Sequence, residues 1–179
     1  MDPSKELELI KQQIDEIREG SKNKLSMVVF SGDLDKLLAA FIIATGAVAM
    51  GMEVVMFFTF WATPALRDRK KKAKGKDIFG KMFGFMLPRG FRKVKLAKMN
   101  MGGMGTAMMK YLMKKKNVAS LEEMVSLAGE LGVKLYICEM SMSLMGFKPG
   151  EMIDYPGVEF VGVATFLAEA GNSRIQLFI

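Results

Sequence analysis

Apolar positions along this chain follow two periods, and their alternation outlines a fold. "LSMVVF" (25–30) and "EVVMFFTF" (53–60) are short, continuous apolar runs rich in β-branched residues, the pattern of strands buried on both faces. The turn "SGD" follows the first run, where Asp33 is placed to cap a helix reaching about Met50, and Gly51 closes that helix. Strand, helix and strand in so short a stretch make a βαβ unit, which predicts a parallel sheet. In "SLEEMVSLAGELG" (120–132), Ser120 and Glu123 form a capping box. Leu121, Met124, Val125, Leu127, Ala128 and Leu131 supply the buried stripe, and Gly132 is the stop. "VKLYIC" (133–138), "EFVG" (159–162) and "RIQLF" (174–178) read as strands, separated by the short helix "MSMSLMG" and the helix "VATFLAEAG". The whole predicts an open, mostly parallel five-stranded sheet with helices on both faces, a three-layer α/β/α architecture.

Two regions stand outside this regular pattern. Residues 4–19 read as a helix capped by Ser4, with Leu7, Ile10, Ile14 and Ile17 in a narrow stripe among charges. Residues 1–21 are therefore expected to form an N-terminal helix for oligomerisation or docking, with packing on its own domain as the plainer alternative. Residues 22–179 make up the α/β domain. Its basic, Gly/Lys/Met-rich insertion at about 62–105 is a long connection with one or two short helices, and a further helix starts near Thr106. Within the insertion "KMFGFML" is apolar but exposed in pattern: a lid, a membrane-touching element or a subunit contact.

Hydropathy raises one competing reading. Leu37 to Trp61 is 25 residues with only Glu53 charged, long enough to cross a bilayer. Gly46, Gly51 and Glu53 fall where a helix-to-strand turn is expected, and "VVMFF" suits a strand better than a helix. A soluble domain is the favoured reading, and a membrane-associated scaffold the alternative.

Charge and composition then narrow the chemistry. Of 179 residues none is histidine and one is cysteine, Cys138. That removes Ser–His–Asp and Cys–His pairings, ordinary zinc sites and internal disulfides; no metal site and no cofactor is expected. With no apolar leader at the start, the expected location is the cytoplasm. From Arg67 to Lys116 there are 17 Lys or Arg and two acids, while the remainder holds 9 basic and 17 acidic residues. No nucleic-acid module accompanies this basic segment, so no specific nucleic-acid partner is expected. A solvated loop or a surface for an acidic partner fits better.

Cys138 falls at the end of a predicted strand and the start of a helix. Ligands and reactive groups gather there in open parallel sheets, and free amides favour the thiolate. The alternative is simple packing, since cysteine is among the most buried residue types. The amides of Met140 and Ser141 are candidates to stabilise the thiolate. Ser31, Thr59 and Trp61 at the ends of the first two strands, and Gly102 and Gly103 in "NMGGMG", are candidates to line the same cleft. For the glycines a plain helix-start turn is the favoured reading, and a noncatalytic module holding a nucleotide or anionic metabolite is the alternative function they raise.

"GGMGTAMMKYLMKKKNVASLEEMVSLAGELGVKLYICEMSMSLMG", with "VVFSGDLDKLLAAFIIATGA", "VVMFFTFW" and "GVATFLAEAGNSRIQLFI", resembles the DsrE/DsrF-like sulfur-relay proteins, in particular their DsrE2-type branch, often labelled peroxiredoxin-like. The likeness runs from about Lys24 to Ile179. It implies a DsrEFH-like sheet, assembly into homo-oligomers, and a sulfurtransferase role. Cys138 matches the cysteine that holds sulfane sulfur as a persulfide and exchanges it with TusA-like or rhodanese-like partners. The peroxiredoxin label is not supported, because the chain has no resolving cysteine and no Thr-x-x-Cys motif.

Overall fold

β1 (Lys22–Val29), β2 (Glu53–Phe58), β3 (Lys134–Cys138), β4 (Val158–Val161) and β5 (Ser173–Phe178) form one sheet in the order β4-β3-β2-β1-β5. The structure, a computed structural model, describes residues 6–12, 22–71, 73, 75–76 and 78–179. Every strand pairing is parallel, with Leu25 beside Val54, Phe57 beside Tyr136, and Cys138 beside Val161.

The helices are α1 (residues 6–12), α2 (Leu34–Ala49), α3 (Ile78–Met86), α4 (Met104–Lys115), α5 (Leu121–Glu130), α6 (Glu139–Leu144) and α7 (Val163–Gly171). Strands β1 to β4 step in one direction across the sheet, and α2, α5 and α6 pack on one face. Right-handed crossovers require the reverse step, from β4 past three strands to β5, to run over the other face, where α7 lies.

Period-two alternation sorts the side chains between the faces. Leu25, Met27, Val29, Val54, Met56, Phe58, Leu135 and Ile137 point into the large core with Leu37, Phe41 and Val125. Val55, Phe57, Tyr136, Cys138 and Val161 point into a smaller cluster closed by Phe166 and Ala170 of α7. Phe57 and Phe166 stack at 4.8 Å. Polar bonds also pin α7: Glu169 pairs with buried Lys24 and accepts the hydroxyl of Tyr136 at 3.0 Å. Lys24 and Tyr136 hold the Glu169 carboxyl below its usual range, although burial opposes them. Burial together with Glu169 pushes Tyr136 up to about 12.

Several local expectations are corrected. Asp33 stands at the N-cap of α2 without a capping bond; its carboxylate accepts the Ser31 hydroxyl at 2.8 Å instead. Leu127 and Leu131 are exposed, because α5 buries the arc of Leu121, Val125, Ala128 and Gly129. Residues 62–66 are not loose chain. They belong to a 3₁₀ turn, Phe60–Leu66, whose Ala62, Thr63, Pro64, Ala65 and Leu66 are all buried. The capping box of Ser120 and Glu123 is present. In α1, Leu7 and Ile10 are exposed, while Ser4, Ile14 and Ile17 lie outside the described residues. Among the described residues no helix is long and apolar enough to cross a membrane, and the apolar run from Leu37 divides into α2, a turn and β2.

The insertion is tethered through a buried carboxylate. Glu151 pairs with Arg67 (3.5 Å) and Lys76, and Arg67 lies over the Phe147 ring at 4.5 Å. Burial alone would raise the Glu151 carboxyl. Lys76, the Lys148 amide and Arg67 outweigh it and keep the group ionised below its usual range.

A candidate site at Cys138

Cys138 is the last residue of β3 and the N-cap of α6. The strand carries it there because "KLYIC" alternates: Leu135 and Ile137 enter the large core, so Tyr136 and Cys138 face α7. The strand ends where α6 begins, and the first amides of that helix have no partner within it. The N–H groups of Met140 and Ser141 donate to the sulfur, and the hydrogen-bonded hydroxyl pair of Ser141 and Thr59 lies against it, one proton linking the two oxygens and the other free for the sulfur. Burial pushes the thiol up. The donors outweigh it and hold Cys138 below the ordinary thiol value.

The hydroxyls are themselves positioned. Ser141 is fully buried, its Oγ lies 2.8 Å from Thr59 Oγ1, and it accepts the Phe60 N–H at 3.0 Å. With its acceptor side occupied by that amide, the Ser141 proton is directed toward the sulfur or Thr59. Phe60 holds φ at +43°, unusual for a residue with a side chain, where the chain leaves β2 and enters the 3₁₀ turn.

The structure thus brings Met140, Ser141 and Thr59 to Cys138. Ser31 and Trp61 lie on two segments that pack on each other: the Ala62 amide donates to the Phe30 carbonyl, and Gly32 packs against the Trp61 carbonyl. Among the described residues no hydrogen bond ties either to the sulfur. Gly102 and Gly103, at φ +68° and +108°, form the turn into α4, and their neighbours are Asn100 and Met101 rather than Cys138. Positive φ explains why glycine occupies both places.

Sequence reasoning overlooked the Phe60 amide and the trio of Tyr136, Glu169 and Lys24 behind the sulfur. Tyr136 was legible: two residues before Cys138 on one strand, it shares the same face. Openness differs as well. A sulfur at a strand end is expected to be accessible, yet Cys138 is 3% exposed. β3 is an interior strand, and the 3₁₀ turn from the neighbouring strand folds over its end. A recess of about 660 Å³ is lined by Lys110, Met113 and Ser120 of the α4–α5 region instead. Among the described residues no group of three or more His, Cys, Asp or Glu side chains converges to hold a metal.

An all-parallel, doubly wound sheet with a donor-rich cysteine at the carboxyl end of an interior strand defines a protein of the open α/β class, in which ligands generally gather at those strand ends. The chain belongs to the DsrE/DsrF/DrsH-like family, whose model matches residues 21–178. It is 46% identical over 156 residues to the uncharacterized protein YrkE of Bacillus subtilis, covering 87% of this chain and 96% of that one. It is 40% identical over 162 residues to the sulfur carrier protein DsrE2 of Allochromatium vinosum, covering 88% and 99%. The crystal structure of the ychN protein from E. coli shares the fold, with a TM-score of 0.50 at 13% identity over 87% of this chain and 98% of that one.

Proposed function

We propose that this protein is a sulfur carrier that holds sulfane sulfur as a persulfide on Cys138 and relays it to a partner thiol. The observation that carries the reading is the set of amide and hydroxyl donors gathered on one buried sulfur, which favours the ionised nucleophile without histidine. The likeness to a relative named as a sulfur carrier supports it.

The Cys138 thiolate attacks the outer sulfur of a donor persulfide. A sulfur–sulfur bond to Cys138 forms, the donor's own sulfur–sulfur bond breaks, and the donor leaves as a thiolate. In the second half an acceptor thiolate attacks the outer sulfur and Cys138 departs as thiolate. No net oxidation occurs and no proton is consumed overall. As the only cysteine, Cys138 cannot release its cargo by closing an internal disulfide, so a partner thiol must reach it. TusA-like or rhodanese-like proteins fit that role as acceptor and donor. The relay is placed in the cytoplasm, in a homo-oligomer, with 1–21 as the docking or pairing helix and 22–179 as the carrier domain. Because the sulfur is covered, the turn at Thr59–Phe60 or α6 opens during transfer.

Intact-mass spectrometry after incubation with thiosulfate or polysulfide tests this. Additions of one sulfur mass on the peptide carrying residue 138 are expected, and none in Cys138→Ser. Equal loading of the two proteins overturns the reading.

A further inference from the structure

We propose that α3 docks the protein peripherally on an anionic lipid bilayer. The helix wears its amphipathicity outward. Ile78 is 83% exposed and Phe85 93%, and Phe79, Met82 and Met86 are also exposed. At 100° per residue these five side chains share one contiguous arc of the helix. The opposite arc is Gly80, Phe83 and Gly84: Gly80 is buried, and Phe83 and neighbouring Leu87 pack against the large core.

The outward display is held in place. Arg67 donates to the Gly84 carbonyl at 3.3 Å while its other arm pairs with buried Glu151, and Lys76 pairs with the same carboxylate. α3 is thereby fixed to the domain with its large apolar side chains in solvent. Water is a poor environment for such an arc, which marks an interaction surface.

The occupant follows from charge and size. α3 lies within the segment that holds 17 basic residues and two acids; Lys81 on the helix is exposed, as are Arg69 and Lys70 in the stretch of chain before it. Five side chains on nine residues are far fewer than the roughly 20–30 residues a side of a stable protein interface. A bilayer surface needs no matching shape. It accepts separate Phe, Ile and Met side chains at the acyl boundary, while lysines remain among anionic headgroups. The helix is too short to span and lies in the plane of the interface.

Co-sedimentation of the full chain with vesicles tests the proposal, and its readout does not involve Cys138, so its failure leaves the sulfur-carrier reading intact. Wild type is expected to pellet with phosphatidylglycerol/phosphatidylcholine vesicles, to be released by high salt, and to stay in solution with phosphatidylcholine alone. Phe79→Asp/Phe85→Asp, at exposed positions that spare the core, is expected to lower partitioning at least about tenfold with unchanged circular dichroism. Lys70→Glu/Lys81→Glu is expected to weaken it on anionic vesicles. The proposal is overturned if wild type stays in the supernatant with anionic vesicles, or if the double Asp variant pellets like wild type. It is also overturned if the arc instead pairs two copies, seen as a dimer in sedimentation velocity that the Asp variant dissociates while vesicles fail to bind.

Discussion

The hydroxyl oxygens of Thr59 and Ser141 lie 2.8 Å apart although 82 residues separate them in the chain. Thr59 follows the last residue of β2 and Ser141 lies in the first turn after β3, and these strands are parallel neighbours whose carboxyl ends rise side by side. Their meeting sets a linked pair of hydroxyls, drawn from two different strand ends, against one sulfur.

Removing either hydroxyl should make the thiol more ordinary. The native value of Cys138 lies below the ordinary thiol value, so its alkylation profile is expected at lower pH than that of a free cysteine. Alkylation rates by iodoacetamide across pH should shift to higher pH in Thr59→Val and further in Ser141→Ala, which keeps the residue-141 amide but removes the hydroxyl that joins the sulfur to Thr59. Ser141→Ala also leaves the Phe60 N–H unpaired and should lower stability by about 1–2 kcal/mol in urea unfolding. An unshifted profile in both variants would remove the donors from the account.

Gly32 packs against the turn that follows β2. A Cβ built on it would lie 2.1 Å from the Trp61 carbonyl oxygen, a backbone atom that cannot swing aside. Gly32→Ala should cost about 1–3 kcal/mol and displace the 3₁₀ turn carrying Thr59 and Phe60. The alkylation profile of Cys138 should move with the loss of stability; a stable protein with the wild-type profile would contradict this.

Phe166 is the lid of the smaller cluster. Phe166→Ala, which removes the ring stacked on Phe57, should lower stability by about 3 kcal/mol. It should also accelerate alkylation of Cys138 at alkaline pH, where protonation no longer limits the rate. Unchanged reactivity would show that the sulfur is reached from the α6 side.

Glu151 carries a pH signature. Its folded-state value lies below the usual carboxylate range, so the stability it confers is complete above the ordinary glutamate value and is lost as pH falls through the depressed native one. Glu151→Gln strands two buried cations, Arg67 and Lys76, and should cost about 3–5 kcal/mol at neutral pH. Urea midpoints measured from neutral to acid should fall for wild type and stay flatter for the variant.

The legible part of this structure was the part written locally. The capping box of Ser120 and Glu123, the βαβ unit and the five strands rest on spacings within one element. Burial of Leu127 and Leu131 was misjudged because the sequence shows that a stripe exists but not how wide an arc its neighbour covers. Arg67 looked like the start of a solvated basic loop, since its partner Glu151 stands 84 residues away and burial of a charge leaves no periodic trace. Thr59 and Ser141 were readable together only through the rule that parallel strands collect their chemistry at one end. Gly102 and Gly103 lie on the insertion, whose path no such rule dictates.

The strand order has a temporal side. β1 is the first strand in the chain, yet one of its long edges is satisfied only by β5, and Ile179 still donates to the Val28 carbonyl at 2.9 Å. During vectorial synthesis an interior, strongly apolar ribbon therefore waits with bare amides and carbonyls until β5 emerges from the ribosome. Removing that strand would convert the middle of the sheet into a sticky border, and the penalty would be read as insolubility rather than as lost chemistry.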